Sequence, residues 1–200
     1  MEEWFRSWFG PLYEELYSHR DPTEAADQVA SLLFRTGKID HPVLDAGCGA
    51  GRHLSCLREQ GCRAVGVDLS RHLLSRAVSQ RRGPVACADL RHPPFRAESF
   101  GLVASFFTVF GYLDTPSDDA ALFASLAALV RRGGWFFQDL PNPAHVRSTL
   151  VPRDERAIEG GRVVQERAIV GDQVVKTITV ERGGCPPDQY FERVRLWELD

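Results

Sequence analysis

Apolar residues recur along this chain at two different periods. Near the start, Trp4, Phe5, Trp8, Phe9, Leu12, Tyr13, Leu16 and Tyr17 fall at helical spacing over 2–9 and 11–18, broken at Gly10-Pro11, where proline can open a second helix. Asp21-Pro22, as an N-cap followed by proline at the first helical position, predicts a helix running to about Thr36 and stopped by Gly37. Short apolar runs then alternate with helical segments. Strands are expected over 43–46, 64–67, 84–88, 102–107 and 135–139, and helices over 52–60, 70–81 and 117–132. The last helix has Ser117 as N-cap, Asp118 and Asp119 in its first turn, Arg131 and Arg132 in its last, and Gly133 beyond. Strands joined by helices imply an α/β fold, a doubly wound parallel sheet with helices on both faces. After Pro141-Asn142-Pro143 the period becomes two. Residues 162–170 and 173–181, rich in Val, Ile and Thr, flank Gly171-Asp172, a two-residue hairpin signal, and 190–198 is a third candidate strand. The chain therefore divides into a helical lead-in or lid (1–36), an α/β core (37–142) and a small antiparallel insert (143–200), a lid or side sheet that would roof an acceptor pocket or meet a second chain.

Composition narrows the function classes. At 200 residues, with 44% apolar and 26% charged positions, the chain has the balance of a globular domain. A formal charge of -3 argues against nucleic-acid binding through bulk positive charge. No run of eighteen apolar residues occurs, and Glu2 and Glu3 stand where a secretory signal carries basic residues, so a cytoplasmic location without a membrane span is expected. The five cysteines show no C-x-x-C, and neither H-x-x-x-H nor G-x-S-x-G appears, which gives no ground for structural metal, a disulfide framework, or zincin or hydrolase chemistry. No metal site is expected.

The chemistry is carried by Val43-Leu44-Asp45-Ala46-Gly47-Cys48-Gly49-Ala50-Gly51-Arg52-His53, where a strand turns into a helix. Glycines spaced G-x-G-x-G let the backbone turn sharply and let a ligand approach main-chain N–H groups. The second strand ends in Asp68, about twenty residues later, where a carboxylate can accept hydrogen bonds from both hydroxyls of a ribose. This is a nucleoside site. A dinucleotide loop needs glycine at position 52, where Arg52 stands, and Asp45 would add negative charge beside a pyrophosphate. NAD is disfavoured, and a ligand with a cationic end fits better.

These residues resemble class I S-adenosylmethionine-dependent methyltransferases, a Rossmann-like family. The resemblance covers about residues 10–142 and rests on Leu44–Gly51, Asp68, Ala88-Asp89-Leu90 after the third strand, and Val130-Arg131-Arg132-Gly133-Gly134 before the fifth. It implies S-adenosylmethionine as cofactor. Gly47, Cys48, Gly49 and Gly51 would shape the loop under its methionine part, and Asp45 would order that loop and meet the amine. Asp68, with Leu69, would hold the ribose, Asp89 and Leu90 would meet the adenine, and Phe106 would flank the ring or the sulfonium. Within the family the chain is most similar to small-molecule N-methyltransferases, including those acting on amino sugars, through Tyr13, Tyr17 and Arg20 and through Ser105–Leu113. That likeness implies that the two tyrosines close over the cofactor, with Arg20 on its carboxylate.

Methyl transfer from a sulfonium needs alignment and exclusion of water but no protein nucleophile. A base is required only for an acceptor that arrives protonated, and Asp139, Tyr112 and His145 are the candidates on the acceptor side. The expected function is methyl transfer to N or O of a small molecule. Methylation of RNA or protein, a cofactor-binding module without catalysis, and an NAD dehydrogenase are the alternatives. The acidic pI and Ser105-Phe106-Phe107-Thr108, in place of an N/D-P-P-Y/F tetrapeptide, weigh against a macromolecular substrate. The family's sheet normally has seven strands ended by an antiparallel hairpin. Here either that hairpin is missing and the 135–139 strand lies at an edge open to dimerisation, or the 162–198 strands take its place.

Overall fold

The computed structural model describes residues 3–17, 22–107 and 109–198, and its first sheet is built from the apolar runs of the core. Strands β1 (Val43–Ala46), β2 (Ala64–Asp68), β3 (Val85–Cys87), β4 (Phe100–Ser105) and β5 (Val130–Gln138) form one sheet in the order β3-β2-β1-β4-β5. Every neighbouring pair is parallel. All five carboxyl ends therefore share one edge of the sheet, and the strand order reverses between β1 and β4, where doubly wound sheets open a ligand crevice. Four consecutive buried residues in β1 and six in β4 are what a strand covered on both faces requires.

The lead-in consists of α1 (Trp4–Trp8), α2 (Pro11–Leu16) and α3 (Pro22–Thr36), the last stopped by Gly37 at φ +71. Asp21, the anticipated cap of α3, lies outside the described residues. Buried Ala25, Val29 and Leu32 repeat at helical spacing along α3. Val29 and Leu32 join Leu54 and Leu57 of α4 (Arg52–Glu59), Val43, Ala64, Leu102, Ala104 and Phe106 in one apolar core. Helix α5 (Arg71–Ser79) is capped by Ser70, whose Oγ accepts from the Leu73 amide.

The third core helix departs from the sequence reading. Helix α6 (Pro116–Ala127) is capped by Thr115 rather than Ser117, through a reciprocal capping box with Asp118. It ends before Arg131 and Arg132, which belong to β5. Tertiary pairing with β4 extends β5 back to Val130, across a register shift that includes Gly133 at φ +73. Beyond it, α7 (Pro143–Thr149) was not foreseen.

The second sheet is antiparallel, with strands β6 (Arg153–Ile158), β7 (Gly161–Val170), β8 (Gln173–Arg182) and β9 (Asp188–Arg195) in that order. The Gly171-Asp172 hairpin is present, closed by the pair Val170↔Gln173. Strand β6 carries Arg153-Asp154-Glu155-Arg156 and gave no apolar signal, while β9 begins and ends earlier than 190–198. This sheet does not extend the first one: among the described residues β5 is an edge strand of a five-stranded sheet.

Two compact units divide the chain. One holds Phe9–Val109 and Asp114–Asp139, and the other holds the described residues up to Trp8, Phe110–Leu113 and those from Leu140 onward. No described helix is long and apolar enough to cross a membrane.

Candidate cofactor site

The glycine loop is pinned to the end of β2. The amides of Gly47 and Cys48 both donate to the Val67 carbonyl, at 2.8 and 3.0 Å, and the Gly49 amide donates to Asp68 Oδ2 at 2.8 Å. Gly47, Gly49 and Gly51 all have positive φ, at +80, +52 and +80. Two of them are also sites of close approach. A β-carbon on Gly47 would overlap Val109, and one on Gly51 would stand 2.9 Å from Arg82 Cβ. A backbone that must be left-handed and uncrowded explains glycine here.

Asp68 is the hub of the turn. Besides the Gly49 amide it accepts from the Ser70 amide at 2.7 Å through Oδ1, so each carboxylate oxygen is fixed and retains a lone pair for a ligand hydroxyl. Burial raises its pKa, opposed by those amides. Ser70 Oγ in turn donates to the Phe9 carbonyl at 2.6 Å, and Glu14 accepts from His72 at 3.0 Å and Arg76 at 2.7 Å. These bonds fasten α2 to the segment that follows Asp68, and α2 carries Tyr13, packed 4.8 Å from Tyr17. Both tyrosines are half-buried. Arg20 lies outside the described residues.

Asp45 is buried at the end of β1, and its Oδ2 has no hydrogen-bond partner among the described residues. Burial, reinforced by the charge of Asp68, raises its pKa to about 7 against the opposing Leu54 amide. An unpartnered buried carboxyl oxygen beneath a ligand loop is costly unless a donor or cation arrives to meet it. Cys48 is also buried, with burial and the neighbouring carboxylates raising its pKa far above the ordinary thiol value. Its Sγ packs where a β-carbon on Gly66 would stand, at 2.5 Å. The thiol fills space and is unsuited to redox chemistry.

The Asp89 carboxylate is gripped by Arg91 through Nη2–Oδ2 at 2.6 Å and Nε–Oδ1 at 3.0 Å, which fixes the orientation of its side chain. Leu90 is buried beside it, and Leu69 is half-buried after β2. The Phe106 ring is covered rather than offered to a ligand: it is 3% exposed, with the His53 ring stacked on it at 4.1 Å and 2°, and Phe137 at 5.1 Å. His53, unnoticed in the sequence, also bonds Gln28 Oε1 through Nε2 at 2.7 Å and so joins α3 to the loop.

Phe107, not Phe106, is the half-buried aromatic at the end of β4. It sits at φ +57, a backbone conformation that costs a bulky residue roughly 1–3 kcal/mol and persists only under constraint. The constraints are visible. Asp139 Oδ2 accepts from the Phe107 amide at 3.2 Å, and the Arg52 guanidinium lies 5.1 Å from the ring centroid. Asp139 therefore holds the turn after β4. Tyr112 belongs to the other unit, 4.8 Å from Trp4 and 6.4 Å from Phe5, and exposed His145 lies in that unit too, its amide donating to Asn142.

The strand order, the glycine turn and the β2 carboxylate make a Rossmann-like nucleoside-binding fold, which the chain shares with class I S-adenosylmethionine-dependent methyltransferases. Residues 44–138 match the family described as a methyltransferase domain. The chain is 30% identical over 159 residues to dTDP-3-amino-3,4,6-trideoxy-alpha-D-glucopyranose N,N-dimethyltransferase of Streptomyces venezuelae, covering 74% of this chain and 65% of that protein. The chain spans between 33% and 65% of the length of the curated relatives it matches. Among solved structures it is similar to an S-adenosylmethionine-dependent methyltransferase from Clostridium acetobutylicum (TM-score 0.74, 20% identity, 94% of this chain and 80% of that one). It is likewise similar to the sugar N-methyltransferase KedS8 from Streptoalloteichus sp (TM-score 0.70, 22% identity, 94% and 80%).

The residues fit this cofactor. Asp68 offers two fixed oxygens to a ribose, the left-handed glycines leave the loop open, and the unpartnered Asp45 oxygen suits an ammonium or sulfonium charge. A pH dependence follows. Because the folded pKa of Asp45, about 7, lies above its ordinary 3.8, the folded state holds more protons than the unfolded state between those values. Stability from this group falls as pH rises through that window and is level above it. A cationic ligand favours the carboxylate, so binding below pH 7 should release a proton. Affinity for S-adenosylhomocysteine is expected to rise by up to tenfold per pH unit towards 7, then level off. Calorimetry in buffers of different ionisation enthalpy checks this, and Asp45→Asn should remove the proton release.

Proposed function

We propose that the chain is an S-adenosylmethionine-dependent methyltransferase acting on a nitrogen or oxygen of a small, sugar-like molecule. The observation that carries the reading is the Asp68 hub, which fixes the glycine loop and the turn below α2 while keeping acceptor capacity on both oxygens. The likeness to an amino-sugar N,N-dimethyltransferase supports the acceptor class.

When bound, the cofactor supplies an electrophilic methyl group on a positively charged sulfur. The protein's part is alignment and desolvation. Asp45 would meet the ammonium of the cofactor and Asp68 its ribose, while Gly47 against Val109 and Arg52 over Phe107 pack the turns after β1 and β4 together. In favourable cases such positioning is worth roughly 7–11 kcal/mol of barrier. Asp139 holds the Phe107 amide through Oδ2, and an amine acceptor that arrives unprotonated needs no base. Incubation with S-adenosylmethionine and a panel of amino sugars, free and nucleotide-linked, should yield S-adenosylhomocysteine with at least one amine. Turnover confined to RNA or protein would contradict the acceptor class.

A further inference from the structure

Ser70 joins three parts of the larger compact unit. Its amide donates to Asp68 Oδ1 at 2.7 Å, its Oγ accepts from the Leu73 amide at 3.1 Å as the cap of α5, and the same Oγ donates to the Phe9 carbonyl at 2.6 Å. The hydroxyl thus spends its one donor on the lead-in and an acceptor position on α5. The lead-in meets α5 a second time at Glu14, which accepts from His72 Nε2 at 3.0 Å and from Arg76 Nε at 2.7 Å. Helix α2 is six residues long, with no side-chain cap at Gly10, and is far too short to hold itself together in water. Buried Leu16 and these polar anchors to α5 and its cap give it a fixed place. The two oxygens of Asp68 are therefore held from different sides. Oδ2 is held by Gly49 of the glycine loop, and Oδ1 by Ser70, which is itself tied to the lead-in.

We propose that Ser70 is a positioning residue for the ribose, the joint through which the docked lead-in fixes the aim of the Asp68 carboxylate; the inference rests on the reading of Asp68 as the ribose acceptor. Hydrogen bonds weaken steeply as donor and acceptor lose alignment, so a carboxylate oxygen steadied by an anchored amide serves a ligand hydroxyl better than one steadied by a loose turn. The coupling is reciprocal: a ribose on Asp68 favours the docked lead-in by as much as docking favours the ribose. Glu14 acts from further away, through α2 and α5, and its removal leaves the Ser70 cap in place. The side on which each anchor acts makes the effect asymmetric. Loosening the lead-in disturbs Oδ1, whereas Oδ2 keeps its bond from the glycine loop.

The test compares S-adenosylhomocysteine with its 2′-deoxy and 3′-deoxy analogues, each lacking one of the hydroxyls assigned to Asp68. Calorimetry on the whole wild-type chain should show the full nucleoside binding about 10- to 100-fold more tightly than either analogue, as expected for a hydrogen bond to a charged group. Ser70→Ala and Glu14→Ala should each shrink the preference over one analogue about 10-fold, the one lacking the hydroxyl that meets Oδ1, while moving the preference over the other by less than about threefold. Glu14→Ala leaves the cap of α5 intact, so it keeps the test open if Ser70→Ala fails to fold. Ser70→Thr retains the hydroxyl and should retain both preferences. A merely structural role would weaken all three ligands alike. That result, unchanged preferences in Glu14→Ala, or equal shrinkage of both preferences overturns the inference. If wild type binds all three ligands alike, Asp68 is not the ribose acceptor, and if it binds none, the cofactor reading falls; this inference falls with either.

Discussion

Asp68→Ala should abolish measurable binding of S-adenosylhomocysteine, a loss of at least about 100-fold. Hydrogen bonds to a charged partner are each worth about 1.5–3 kcal/mol, and two ribose hydroxyls would lose theirs together. The loop also loses its anchor, because the Gly49 amide, 2.8 Å from Oδ2, and the Ser70 amide, 2.7 Å from Oδ1, would have no acceptor. Asp68→Asn separates these effects. Its carboxamide keeps the shape but must turn an NH2 group towards one of the two amides, so donor faces donor. An intermediate loss is therefore expected from asparagine and a complete one from alanine, as measured by calorimetry alongside a folding control. Binding of Asp68→Ala within a fewfold of wild type would show that the ribose lies elsewhere.

Gly47→Ala carries the second large effect. The new methyl would overlap Val109 and would have to adopt φ +80. Overpacking and left-handed backbone strain together cost about 2–5 kcal/mol. Pushing Val109 away also displaces the glycine loop from the turn after β4, so cofactor binding should fall about 100-fold or more. Gly49→Ala is the informative partner. Its nearest neighbour would be Leu73 Cδ1 at an ordinary 3.6 Å, leaving mainly the backbone penalty of about 1–2 kcal/mol. Urea unfolding of the pair should rank Gly47→Ala well below Gly49→Ala, and equal costs would show that crowding by Val109 is relieved without effect.

How much of this was legible in the sequence depended on whether the deciding contact was local. Strands β1, β2 and β4 are buried on both faces and declare themselves as apolar runs, and Gly171-Asp172 specifies its hairpin by turn geometry. The spacing from the glycines to Asp68 was readable because chain direction and strand adjacency fix it. Helix α6 was displaced because Thr115-Pro116-Ser117-Asp118 contains overlapping cap signals, and Thr115 wins by pairing reciprocally with Asp118. The first half of β5 is Val130-Arg131-Arg132-Gly133-Gly134, with no strand pattern of its own, so pairing with β4 had to supply it. Strand β6 is charged for the same reason that it is tolerable at an edge. In the site, Phe106 and Phe107 are adjacent aromatics that differ in backbone conformation and in packing partners, which composition does not encode. The bond from His53 to Gln28 spans 25 positions and left no local trace. By contrast the Asp89–Arg91 pair spans two positions and stood in the sequence as an Asp-x-Arg run after β3.

Direct titration of the purified chain with S-adenosylmethionine by calorimetry bears on the central claim more closely than any activity screen, because it needs no acceptor. The account expects saturable one-to-one binding with a Kd below about 1 mM, competition by S-adenosylhomocysteine, no heat with NAD, and loss of the signal in Asp68→Ala. A folded protein that binds NAD in preference, or binds neither sulfur compound up to millimolar concentration, would contradict it.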